Sequence, residues 1–532
     1  MNKTIIIRAM WVFLITISLL FSSSAIAIKL KNSPTEARFD NTDLDPLIDV
    51  VVTFELQQIR SLEKRGIRYF IIDKIDKFSD PDFFVKVFIN DNEFLSTVWH
   101  NTKYISNPEW SATLNVPDEE EFVNIKIQLW DWNPGINRLC DISRDYGGYL
   151  DSFDVELVYS IKTGHWWGDD YANYEPASFD PSGYGRLNGC DDNSIYQNER
   201  DCELWFDIYQ NDFDGDGIPY WTEINVYETD PEIDNSGEDA DNDGVPIEWE
   251  HKWGHYYSQW WDEHFWKYDP FEPEAHKNLD LDQDGLDNVE EYLTSQWKSD
   301  PFRKDIFLEI DQMEIGPNSE GSFVPNLSKE LMIVAFSKHN IMLHIDNNGG
   351  KIPFDESTTD EELQNLYFNY FLDGSPNNWK RGAFHYCLII YNSARYPGFV
   401  FSTTIDEEHY LLDSLQISTK NHDAGPLKQY PLINAFRRKS LNKDYQRAII
   451  YAGAIMHEIG HTLGIFRGNT PGCDNPDSVF PFKDWSKFHN YRSCMNYHYT
   501  YYLIDYSDGS RGKNDYDDWN RIDLTFFQRD VW

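Results

Sequence analysis

The chain has 532 residues with 90 acidic and 46 basic side chains, which gives a formal net charge of −44 at pH 7. Hydrophobic residues make up 41% and aromatic residues 16% of the sequence, so a disordered acidic chain is excluded and sizeable cores are expected. The charge disfavours nucleic-acid binding and simple electrostatic docking on anionic membranes, because both require clustered Lys and Arg.

The acidic residues are unevenly distributed along the chain. Its length predicts roughly three or four domains of about 100–200 residues each. More than half of the acidic excess lies in residues 201–302, which carry 29 acidic and four basic side chains. A halophile-like surface would spread its acid over the whole chain. The concentration in one segment instead predicts a dedicated cation-binding region.

The first 27 residues have the three parts of a secretory signal peptide. Lys3 and Arg8 give a basic start, residues 9–21 form an apolar core, and Ala25 and Ala27 frame a cleavage site. An uncleaved N-terminal anchor is the alternative, although this apolar core is short for a membrane span. No later stretch is long and apolar enough to cross a bilayer, so we expect a secreted protein that is soluble outside the cytoplasm.

Six cysteines follow the signal peptide, and an oxidising compartment permits disulfides between them. Six cysteines allow fifteen full pairings, and sequence alone does not select one. We predict the bonds Cys473–Cys494, which flank one loop, and Cys190–Cys202, as a local staple. Cys387 lies in an apolar run and is predicted to be a buried free thiol.

Residues 45–165 combine short apolar runs with turn-rich connections. Phe83–Ile89 and residues 124–130 are rich in Val, Ile and Phe and alternate with a period of two. Such alternation, interrupted at short intervals by turn residues, is typical of strands in an antiparallel β-sandwich. We therefore predict an N-terminal all-β sandwich over residues 45–165.

Three segments of this region occur in an informative order: SDPDFFVKV at residues 79–87, PEW at 108–110 and LWDWN at 129–133. Their succession resembles the C2-type domain, in which two loops at one end of the sandwich gather carboxylates around calcium. The resemblance implies Asp80, Asp131 and Asn133 as calcium ligands, and calcium-dependent membrane or surface contact through this end. Asn133 stands where the family has an acid, so a structural sandwich whose Asp residues cap turns is the alternative.

The pattern D-x-[DN]-x-[DN]-G-x5-E occurs three times between residues 212 and 291. Alternate Asp side chains point inward along such a loop, Gly permits the sharp turn, and the distant Glu completes the oxygen shell of calcium. Asp-rich turns without metal are the alternative, but they would not place Glu at the twelfth position each time. The predicted calcium ligands are Asp212, Asp214, Asp216 and Glu223, then Asp239, Asp241, Asp243 and Glu250, then Asp280, Asp282, Asp284 and Glu291.

An Asp-Pro dipeptide follows each of these EF-hand-like loops, at residues 230–231, 269–270 and 300–301. This recurring Asp-Pro dipeptide after each loop resembles thrombospondin type 3-like repeats. The resemblance implies that residues 205–302 form a stiff, calcium-filled spacer between domains. Four tryptophans interrupt the repeat spacing. They could form a sugar-binding platform, but we expect them to supply core packing in a segment with little other apolar surface. They are Trp253, Trp260, Trp261 and Trp266.

Residues 445–464 place an H-E-x-x-H motif on an apolar helix. His457 and His461 are four residues apart, so they share one helix face and can bind one Zn²⁺ through their imidazole nitrogens. Glu458 can then act as general base on a zinc-bound water that attacks a peptide carbonyl, and can return the proton to the leaving amine. A buried helix with incidental histidines is the alternative.

The sequence around this motif sharpens the interpretation. Gly464 follows His461 by three residues, and SCMNY lies downstream at residues 493–497. The combination resembles the metzincin clan of zinc peptidases, and within it the pappalysin-like members. The resemblance implies that Met495 forms a hydrophobic floor beneath the zinc and that Tyr497 stabilises the oxyanion.

One position departs from the pattern of that clan. The third zinc ligand should follow Gly464 by three residues, but Arg467 stands there, and a guanidinium stays protonated and does not bind zinc. We predict Asp474 as the replacement, because a Cys473–Cys494 bond would bring it beside the Met495 turn. The weaker candidates for this ligand are Asp477, His489 and His498.

The remaining elements fit an α+β zincin domain over residues 303–532. We predict strands at 305–310, 341–345, 387–391 and 399–404, a helix from Ser328 to Lys338 with Ser328 as its cap, and a C-terminal helix at 517–524. A mixed sheet with an edge strand above the zinc would bind an extended substrate by strand addition.

Together these features predict a secreted, calcium-stabilised zinc endopeptidase that acts on proteins or peptides. Its predicted order is a signal peptide at 1–27, a sandwich at 45–165, calcium repeats at 205–302 and a catalytic domain at 303–532. Two alternatives stay open. One is a catalytically inactive, calcium-dependent adhesion or surface-binding protein, which Arg467 favours. The other is a phospholipid-binding module carried by the sandwich.

Overall fold

The structure is a computed structural model of the chain. It describes residues 48–62, 75, 79–144, 153–170, 185–191, 200–258, 263–347, 351–404, 410–423, 443–475 and 483–529. The predicted signal peptide at residues 1–27 lies outside these ranges. Within them, no helix combines the length and the apolar composition that a membrane crossing requires.

Two antiparallel sheets form the N-terminal part of the molecule. Their strands are β1 Val51–Ser61, β2 Phe83–Ile89, β3 Asn92–Leu95, β4 Tyr104–Asn115, β5 Phe122–Asp131, β6 Arg138–Leu139, β7 Val155–Ser160, β8 Trp166–Gly168, β9 Arg186–Asn188 and β10 Cys202–Gln210. One sheet has the strand order β4-β1-β10-β9 and the other β3-β2-β5-β7-β8, with β6 paired to β5. Phe83, Val85, Val87 and Ile89 of β2 are buried and alternate with partly exposed residues, which confirms the predicted all-β sandwich.

The sandwich extends beyond its predicted end at residue 165. Strand β10 pairs with β1 along the whole length of both strands, from Val52 opposite Gln210 to Ser61 opposite Cys202. Leu204, Phe206 and Ile208 of β10 share one buried cluster with the core residues of the other strands. Residues 205–210, which the sequence predicts to begin the calcium repeats, therefore belong to the last strand of the sandwich.

The region predicted to contain the calcium repeats consists of loops and short helices around a small aromatic core. The regular elements are the single helical turn α1 Tyr220–Thr222, a π-helix at Glu223–Tyr227, α2 Ile247–Gly254, β11 His255–Ser258, β12 Glu263–Trp266, a 3₁₀ turn at His276–Asn278, α3 Asn288–Thr294 and a 3₁₀ turn at Ser295–Trp297. Trp249, Trp253, Tyr268 and Phe302 are buried together beside Val245. The predicted packing role is confirmed for Trp253, whereas Trp260 and Trp261 lie outside the described residues.

A mixed sheet forms the centre of the C-terminal region. Its elements are β13 Asp305–Met313, α4 Asn326–Ser337, β14 Met342–Asp346, β15 Lys351–Ile352, α5 Asp360–Leu366, a π-helix at Tyr367–Phe371, α6 Lys380–Ala383, β16 Phe384–Ile390, β17 Gly398–Thr404, β18 Tyr410–Ser418, α7 Thr419–Asp423, α8 Lys443–Thr462, α9 Lys483–Phe488 and a 3₁₀ turn at Phe526–Gln528. The strand order is β14-β13-β16-β18-β17, with β15 paired to β13. Strand β17 is antiparallel to β18, and the other pairs are parallel.

Successive residues of β13 point to opposite faces of this sheet. Ile306, Leu308 and Ile310 belong to the buried cluster that includes α4 and α8, whereas Phe307 and Met313 belong to the cluster beneath α5. Helices therefore cover both faces, which is the usual arrangement of a largely parallel sheet. The long helix α8 thus lies on one face of the sheet, against β17 and β18.

The structure corrects three element predictions in this region. Strand β18 was not predicted, although it lies between β16 and β17. Ser328 does not cap α4, because that helix begins at Asn326 and the Ser328 hydroxyl donates inside the core to the backbone oxygen of Ala448. Residues 517–524 form turns instead of a helix, since the Asp518 carboxylate accepts hydrogen bonds from the Tyr491 hydroxyl and from the backbone of a neighbouring loop.

Buried charges join the sandwich directly to the C-terminal region. Arg60 and Arg186 both pair with Glu203, at 2.6 Å and 3.0 Å. Arg186 also donates to Asn340 at 3.2 Å, and Arg303 donates to the backbone oxygen of Arg186 at 2.7 Å. The calcium repeats therefore do not hold the flanking regions apart, as a stiff spacer would.

Candidate functional site

Helix α8 ends immediately after the two histidines of the H-E-x-x-H motif. Gly464 has a φ of +85°, its N–H donates to the oxygen of His461, and the N–H of Ile465 donates to the oxygen of Gly460. These are the two hydrogen bonds of a Schellman motif, which requires a left-handed residue after the helix and explains the glycine. The chain therefore turns back beneath the site and brings the oxygen of Ile465 against His461.

Both imidazoles are oriented by backbone carbonyls. Nδ1 of His457 lies 2.9 Å from the oxygen of Cys494, and Nδ1 of His461 lies 2.7 Å from the oxygen of Ile465. A carbonyl oxygen only accepts hydrogen bonds, so Nδ1 carries the ring proton in the neutral form and Nε2 presents its lone pair. This is the outer-shell arrangement that orients metal-binding histidines.

The two Nε2 atoms converge on Asp474. Oδ1 of this residue lies 3.1 Å from Nε2 of His457 and 3.5 Å from Nε2 of His461. Ligand atoms at the corners of a tetrahedron with metal bonds of about 2.1 Å are separated by about 3.4 Å, so the three residues fit the donor set and the size of a zinc site. They form one of the groups of potential metal ligands in the described part of the chain.

The local backbone conformation orients the Asp474 side chain toward the two histidines. Its φ is +48°, a left-handed conformation that Asp tolerates better than most residues, and its N–H donates to the oxygen of Met495 at 3.1 Å. Burial opposes the charge of its carboxylate, but hydrogen bonds from His457 and His461 dominate and hold its pKa well below the usual range. Burial likewise opposes protonation of His457, but Asp474 and Glu458 raise its pKa to about 9.

The other candidates for the third ligand lie away from this cluster. Arg467 is exposed after the turn that ends the helix. His489 is exposed, with Nδ1 2.7 Å from the oxygen of Ser486, and the ring of His498 packs edge-to-face against Tyr499 with centroids 4.5 Å apart. Asp477 lies outside the described residues.

Glu458 lies on the side of the site that faces strand β17. Its side chain is largely buried, and this burial raises the pKa of its carboxyl group. A Cβ atom at Gly398, the first residue of β17, would lie 3.0 Å from Oε1 of Glu458. The carboxyl group of Glu458 therefore lies next to the first residue of strand β17, between the sheet and the two histidines.

Met495 and Tyr497 contact the site from two sides. Met495 is fully buried, and its Sδ atom would lie 2.3 Å from a Cβ atom at Gly460, so only glycine allows this close approach to the helix. Tyr497 is 41% exposed and its ring stacks on His457 with centroids 5.3 Å apart. Burial and the neighbouring charge of Asp474 raise the pKa of its hydroxyl, which therefore stays protonated as a hydrogen-bond donor.

Both disulfide predictions are wrong in this structure, where all six cysteines are free and buried. The thiol of Cys202 interacts with Cys140, across the sandwich, instead of with Cys190. Cys190 points instead to Asp201, with Sγ 3.5 Å from its Oδ2 atom. Cys473 likewise lies next to the carboxylate of Asp474. The predicted free thiol of Cys387 is confirmed. Asp474 is therefore held by its backbone bond to the Met495 turn, without a disulfide.

The three acidic loops share one hydrogen-bond pattern. In each loop the glycine N–H donates to the first Asp, over 3.0 Å to Asp212, 3.2 Å to Asp239 and 3.1 Å to Asp280. The following N–H donates to the third Asp, over 2.8 Å to Asp216 and Asp284 and 3.3 Å to Asp243. The three glycines, at 217, 244 and 285, all have positive φ. One geometry is therefore repeated three times, as the sequence pattern predicts.

Several buried oxygen atoms in these loops have no hydrogen-bond partner. They include Oδ2 of Asp214, Asp241 and Asp282, Oε2 of Glu223, Oε1 of Glu250 and both carboxylate oxygens of Glu291. Burial raises the pKa of Glu223 to about 8 and that of Glu250 to about 7, because each loop concentrates negative charge away from solvent. Bound cations would satisfy these oxygens and remove the repulsion, so the donors fit calcium, which prefers such oxygen ligands.

Three further residues, which the sequence analysis does not predict, form hydrogen bonds with these loops. The backbone N–H groups of Asn235, Glu274 and Asp305 donate to the third Asp of the preceding loop, at 3.3, 3.0 and 2.7 Å. Each of these residues follows the Asp of an Asp-Pro dipeptide by five positions. Their side-chain oxygens extend the donor sets of the loops, and this fixed spacing is the signal that could have identified them.

Basic residues occupy the predicted calcium-binding end of the sandwich. Asp131 is fully buried and accepts hydrogen bonds from Arg138 at 2.7 Å, Asn133 at 2.6 Å and the N–H of Asp82 at 3.1 Å. Asp80 lies 3.4 Å from Nζ of Lys103. Asp131 and Asn133 are therefore brought together as predicted, but Arg138 neutralises the carboxylate at the position where a cation would bind.

Comparisons with known proteins identify one part of the chain. Residues 49–140 match the family model of the C2 domain. No curated protein sequence matches the chain significantly.

Several solved structures align with about 30% of this chain. A structure of the tandem C2 domains of Extended-Synaptotagmin 2 is 9% identical, with 30% of this chain and 41% of that chain covered and a TM-score of 0.17. A structure of a C2 domain is 12% identical over 30% of this chain and 97% of its own, with a TM-score of 0.17. A C2 domain protein from Ramazzottius varieornatus is 8% identical over 30% and 86%, with a TM-score of 0.19. TM-scores this low carry no argument about the rest of the molecule. The family match and the two antiparallel sheets agree that this chain contains a C2 domain at residues 49–140.

Proposed function

We propose that the C-terminal region is a zinc-dependent endopeptidase. The observation that carries this proposal is the convergence of His457 Nε2, His461 Nε2 and Asp474 Oδ1 beside the carboxyl group of Glu458. These three residues would hold the ion and leave its fourth position open, which is the arrangement of catalytic zinc sites. When bound, zinc would act as a Lewis acid that polarises the scissile carbonyl and acidifies a water molecule.

Glu458 acts as the general base in this proposal. It accepts one proton from the attacking water as the new bond to the carbonyl carbon forms. It then gives that proton to the amine nitrogen as the peptide bond breaks. Burial raises the pKa of its carboxyl group and so brings it closer to neutrality, where a group that first accepts and then donates a proton works best.

Tyr497 contributes a hydrogen bond to the developing oxyanion. Its ring stacks on His457 and it is partly exposed, so its protonated hydroxyl is available to a substrate at the surface of the site. A donor directed at the oxygen that gains charge in the transition state lowers the barrier. Asp474 competes for this hydroxyl in the substrate-free protein, because the two groups are hydrogen-bonded.

Strand β17 binds the substrate backbone. It pairs with β18 on one side and ends the strand order of the sheet, so no strand of the described residues pairs with its other edge, although the Gln364 side chain donates to the oxygen of Ser402. Its first residue, Gly398, adjoins Glu458. An extended peptide that adds to this edge would therefore pass the general base, and main-chain hydrogen bonds would supply affinity without sequence specificity.

A cleft of about 690 Å³ next to this edge would receive a substrate side chain. Its wall includes Phe399 and Phe401 of β17 together with Phe466, whose ring stacks on His461 with centroids 5.1 Å apart. Asp360 and Arg395 contribute charges to the same lining. This composition favours an apolar or aromatic residue next to the scissile bond.

Removal and replacement of the metal test the proposal. A zinc-selective chelator applied in excess calcium is expected to abolish cleavage of an unstructured protein such as casein, and added zinc is expected to restore it. Calcium supplied alone to the stripped protein should not restore cleavage. Cleavage that survives complete removal of zinc would overturn the proposal.

A membrane contact through the C2 domain is a second candidate function. Trp132 is 38% exposed and Ile136 is 81% exposed in the loop that follows β5. C2 domains as a class suggest calcium-dependent lipid contact, and exposed apolar side chains on such a loop could enter a bilayer interface. Arg138 and Lys103 already neutralise the aspartates here, so vesicle binding should persist in a chelator and be lost in Ile136→Asp. Pelleting with phosphatidylserine-containing vesicles measures both.

An inactive adhesion protein is the alternative to this proposal, and Arg467 at the expected position of the third zinc ligand favours it. The position of Asp474 beside the histidines and the presence of Glu458 support the peptidase instead.

A further inference from the structure

A histidine lies within the carboxylate cluster of the second acidic loop, whereas at the third loop a histidine from strand β14 contacts Asp305, with Nε2 of His344 2.8 Å from its Oδ1 atom. Nε2 of His276 lies 3.1 Å from Oδ2 of Asp243, 3.5 Å from Oε1 of Glu250 and 3.6 Å from Oε2 of Glu274. These four residues form a group of potential metal ligands. In the first and third loops, the equivalent of His276 is Gly237 or Phe307, two residues after Asn235 and Asp305, so no imidazole enters at that position.

The imidazole is buried and poorly satisfied. His276 is 0% exposed, and its Nε2 atom makes no well-directed hydrogen bond to any of the three carboxylates. Oε1 of Glu250 and Oε2 of Glu274 are also buried without a partner. Leaving a buried polar atom without a partner is unfavourable, so three of them around one point indicate a shared ligand.

The ring is fixed in place on its other sides. Tyr268 and Trp249 pack edge-to-face against it, with centroids 4.9 Å and 5.8 Å away. Nδ1 lies 2.8 Å from the amide nitrogen of Asn288, which donates to it. In this arrangement a neutral ring carries its proton on Nε2, so metal binding through Nε2 requires the Asn288 amide to turn its oxygen to Nδ1, where the ring proton would then lie.

We propose that Asp243, Glu250, Glu274 and His276 bind a divalent transition-metal ion of the zinc type, whereas the first and third loops bind calcium. Calcium is a hard cation that takes oxygen ligands, so a buried imidazole nitrogen would be a poor donor in its shell. Zinc accepts imidazole together with carboxylate oxygens. The distances of 3.1–3.6 Å from Nε2 to the three oxygens match the separation of about 3.4 Å between ligands in a tetrahedral zinc site.

This site is independent of the proposed peptidase. It lies in the calcium repeats and shares no ligand with His457, His461 and Asp474. Asp243 also belongs to the oxygen cluster of Asp239 and Asp241, so the ion would sit at the closing end of the second loop. Its role there would be structural, because it ties the loop to helix α2 and to the turn that carries His276.

Zinc stoichiometry in excess calcium tests the inference. The full chain is stripped of metal, dialysed against zinc in a large excess of calcium, passed over a desalting column and analysed for metal. We expect two zinc ions per chain in the unaltered protein and one in His276→Gln. The exposed histidine variant His489→Gln is the matched control and should retain two. An unaltered content in His276→Gln, or calcium in place of zinc at this loop, would overturn the inference.

The same measurement separates this inference from the proposed function. His461→Gln should also lower the content from two to one, and the double variant His276→Gln/His461→Gln should retain none. One zinc that is lost in His276→Gln but kept in His461→Gln would support this site and refute the catalytic one. The reverse pattern would refute this site alone.

A spectroscopic measurement on the unaltered side chain covers the case in which His276→Gln fails to fold. In His457→Gln/His461→Gln, one Mn²⁺ bound in excess calcium should show electron spin-echo modulation from an imidazole nitrogen. Absence of nitrogen modulation from bound Mn²⁺ would refute the proposed ligand set.

Discussion

Asp474 shows how a single residue decides the chemistry of the candidate site. His457, Glu458 and His461 are predictable from the sequence because their spacing is local to one helix and needs no tertiary information. The sequence points to Asp474 only through a Cys473–Cys494 bond that the structure lacks, whereas the residue is held by a left-handed backbone and a hydrogen bond to the oxygen of Met495. Such a long-range contact leaves no periodic signal in a sequence.

Replacement of Asp474 tests its role as the third ligand. Asp474→Ala removes the oxygen shared by both Nε2 atoms, so zinc affinity should fall by more than the roughly 10–100-fold typical of outer-shell changes. Competition with a chromophoric chelator measures this affinity. His498→Ala should leave it unchanged, and a strong loss in that variant instead would place the third ligand elsewhere.

Gly460 should be required for the packing of Met495 beneath the helix. The Cβ atom of Gly460→Ala would lie 2.3 Å from Sδ, and overpacking of this kind destabilises by about 1–3 kcal/mol. Thermal unfolding should therefore show a lower midpoint than in the unaltered protein. Gly468→Ala, where a Cβ atom meets nothing within 4 Å, is the matched control. Equal midpoints for the two variants would contradict this packing.

At the level of elements, local patterns were predictable and buried polar contacts were not. The three acidic loops are predictable because each is defined by the spacing of Asp, Gly and Glu within twelve consecutive residues. Strand β18 escaped prediction because Asp413, Ser414 and Gln416 interrupt its apolar pattern. These side chains are buried, and partners such as Tyr367 and Thr403 satisfy Asp413 through hydrogen bonds from distant elements. Residues 517–524 likewise form turns where the sequence predicts a helix, because the buried Asp518 accepts hydrogen bonds from other parts of the chain.

The acidic loops should make calcium-free protein sensitive to alkaline pH. In the first loop, burial raises the pKa of Asp216 to about 6 and that of Glu223 to about 8, so the folded state binds more protons than the unfolded chain between about pH 4 and 8. Stability without calcium should therefore fall as the pH rises through this window. Saturating calcium replaces the protons and should remove the decline.

Unfolding midpoints measured from pH 5.5 to 8, with calcium and with a chelator, test this expectation. The two curves should diverge as the pH rises, and the chelated protein should be the less stable at pH 8. A calcium-free midpoint that rises with pH would contradict the account of the loops.

At the scale of the whole molecule, charge is distributed by function. More than half of the net charge of −44 lies in residues 201–302. Arg60, Arg186 and Glu203 form a buried cluster in the sandwich, and Arg186 also donates to Asn340 of the C-terminal region, so the two regions are in direct contact. Sequence patterns do not predict this contact, which joins residues more than a hundred positions apart.

The buried cluster should therefore be important for stability. Arg60 and Arg186 outweigh the effect of burial and lower the pKa of Glu203, which stays charged. Glu203→Gln leaves Arg186 with a neutral partner and Arg60 with only the longer pair to Glu330 at 3.4 Å, and breaking a buried pair of this kind costs about 3–5 kcal/mol. Glu93→Gln removes only the exposed pair with Lys86 and should cost less than about 1 kcal/mol. Denaturant unfolding compares the two, and similar losses would contradict the assignment.

The central claim is that Glu458 takes the proton from water at a zinc site formed by His457, His461 and Asp474. The most direct test is to measure zinc content and casein cleavage together in the unaltered protein and in Glu458→Gln, with the exposed Glu314→Gln as control. The account predicts zinc at this site in all three proteins and cleavage that falls by about 100-fold or more only in Glu458→Gln. Equal cleavage by Glu458→Gln, or an unaltered protein that holds no zinc at this site, would contradict it.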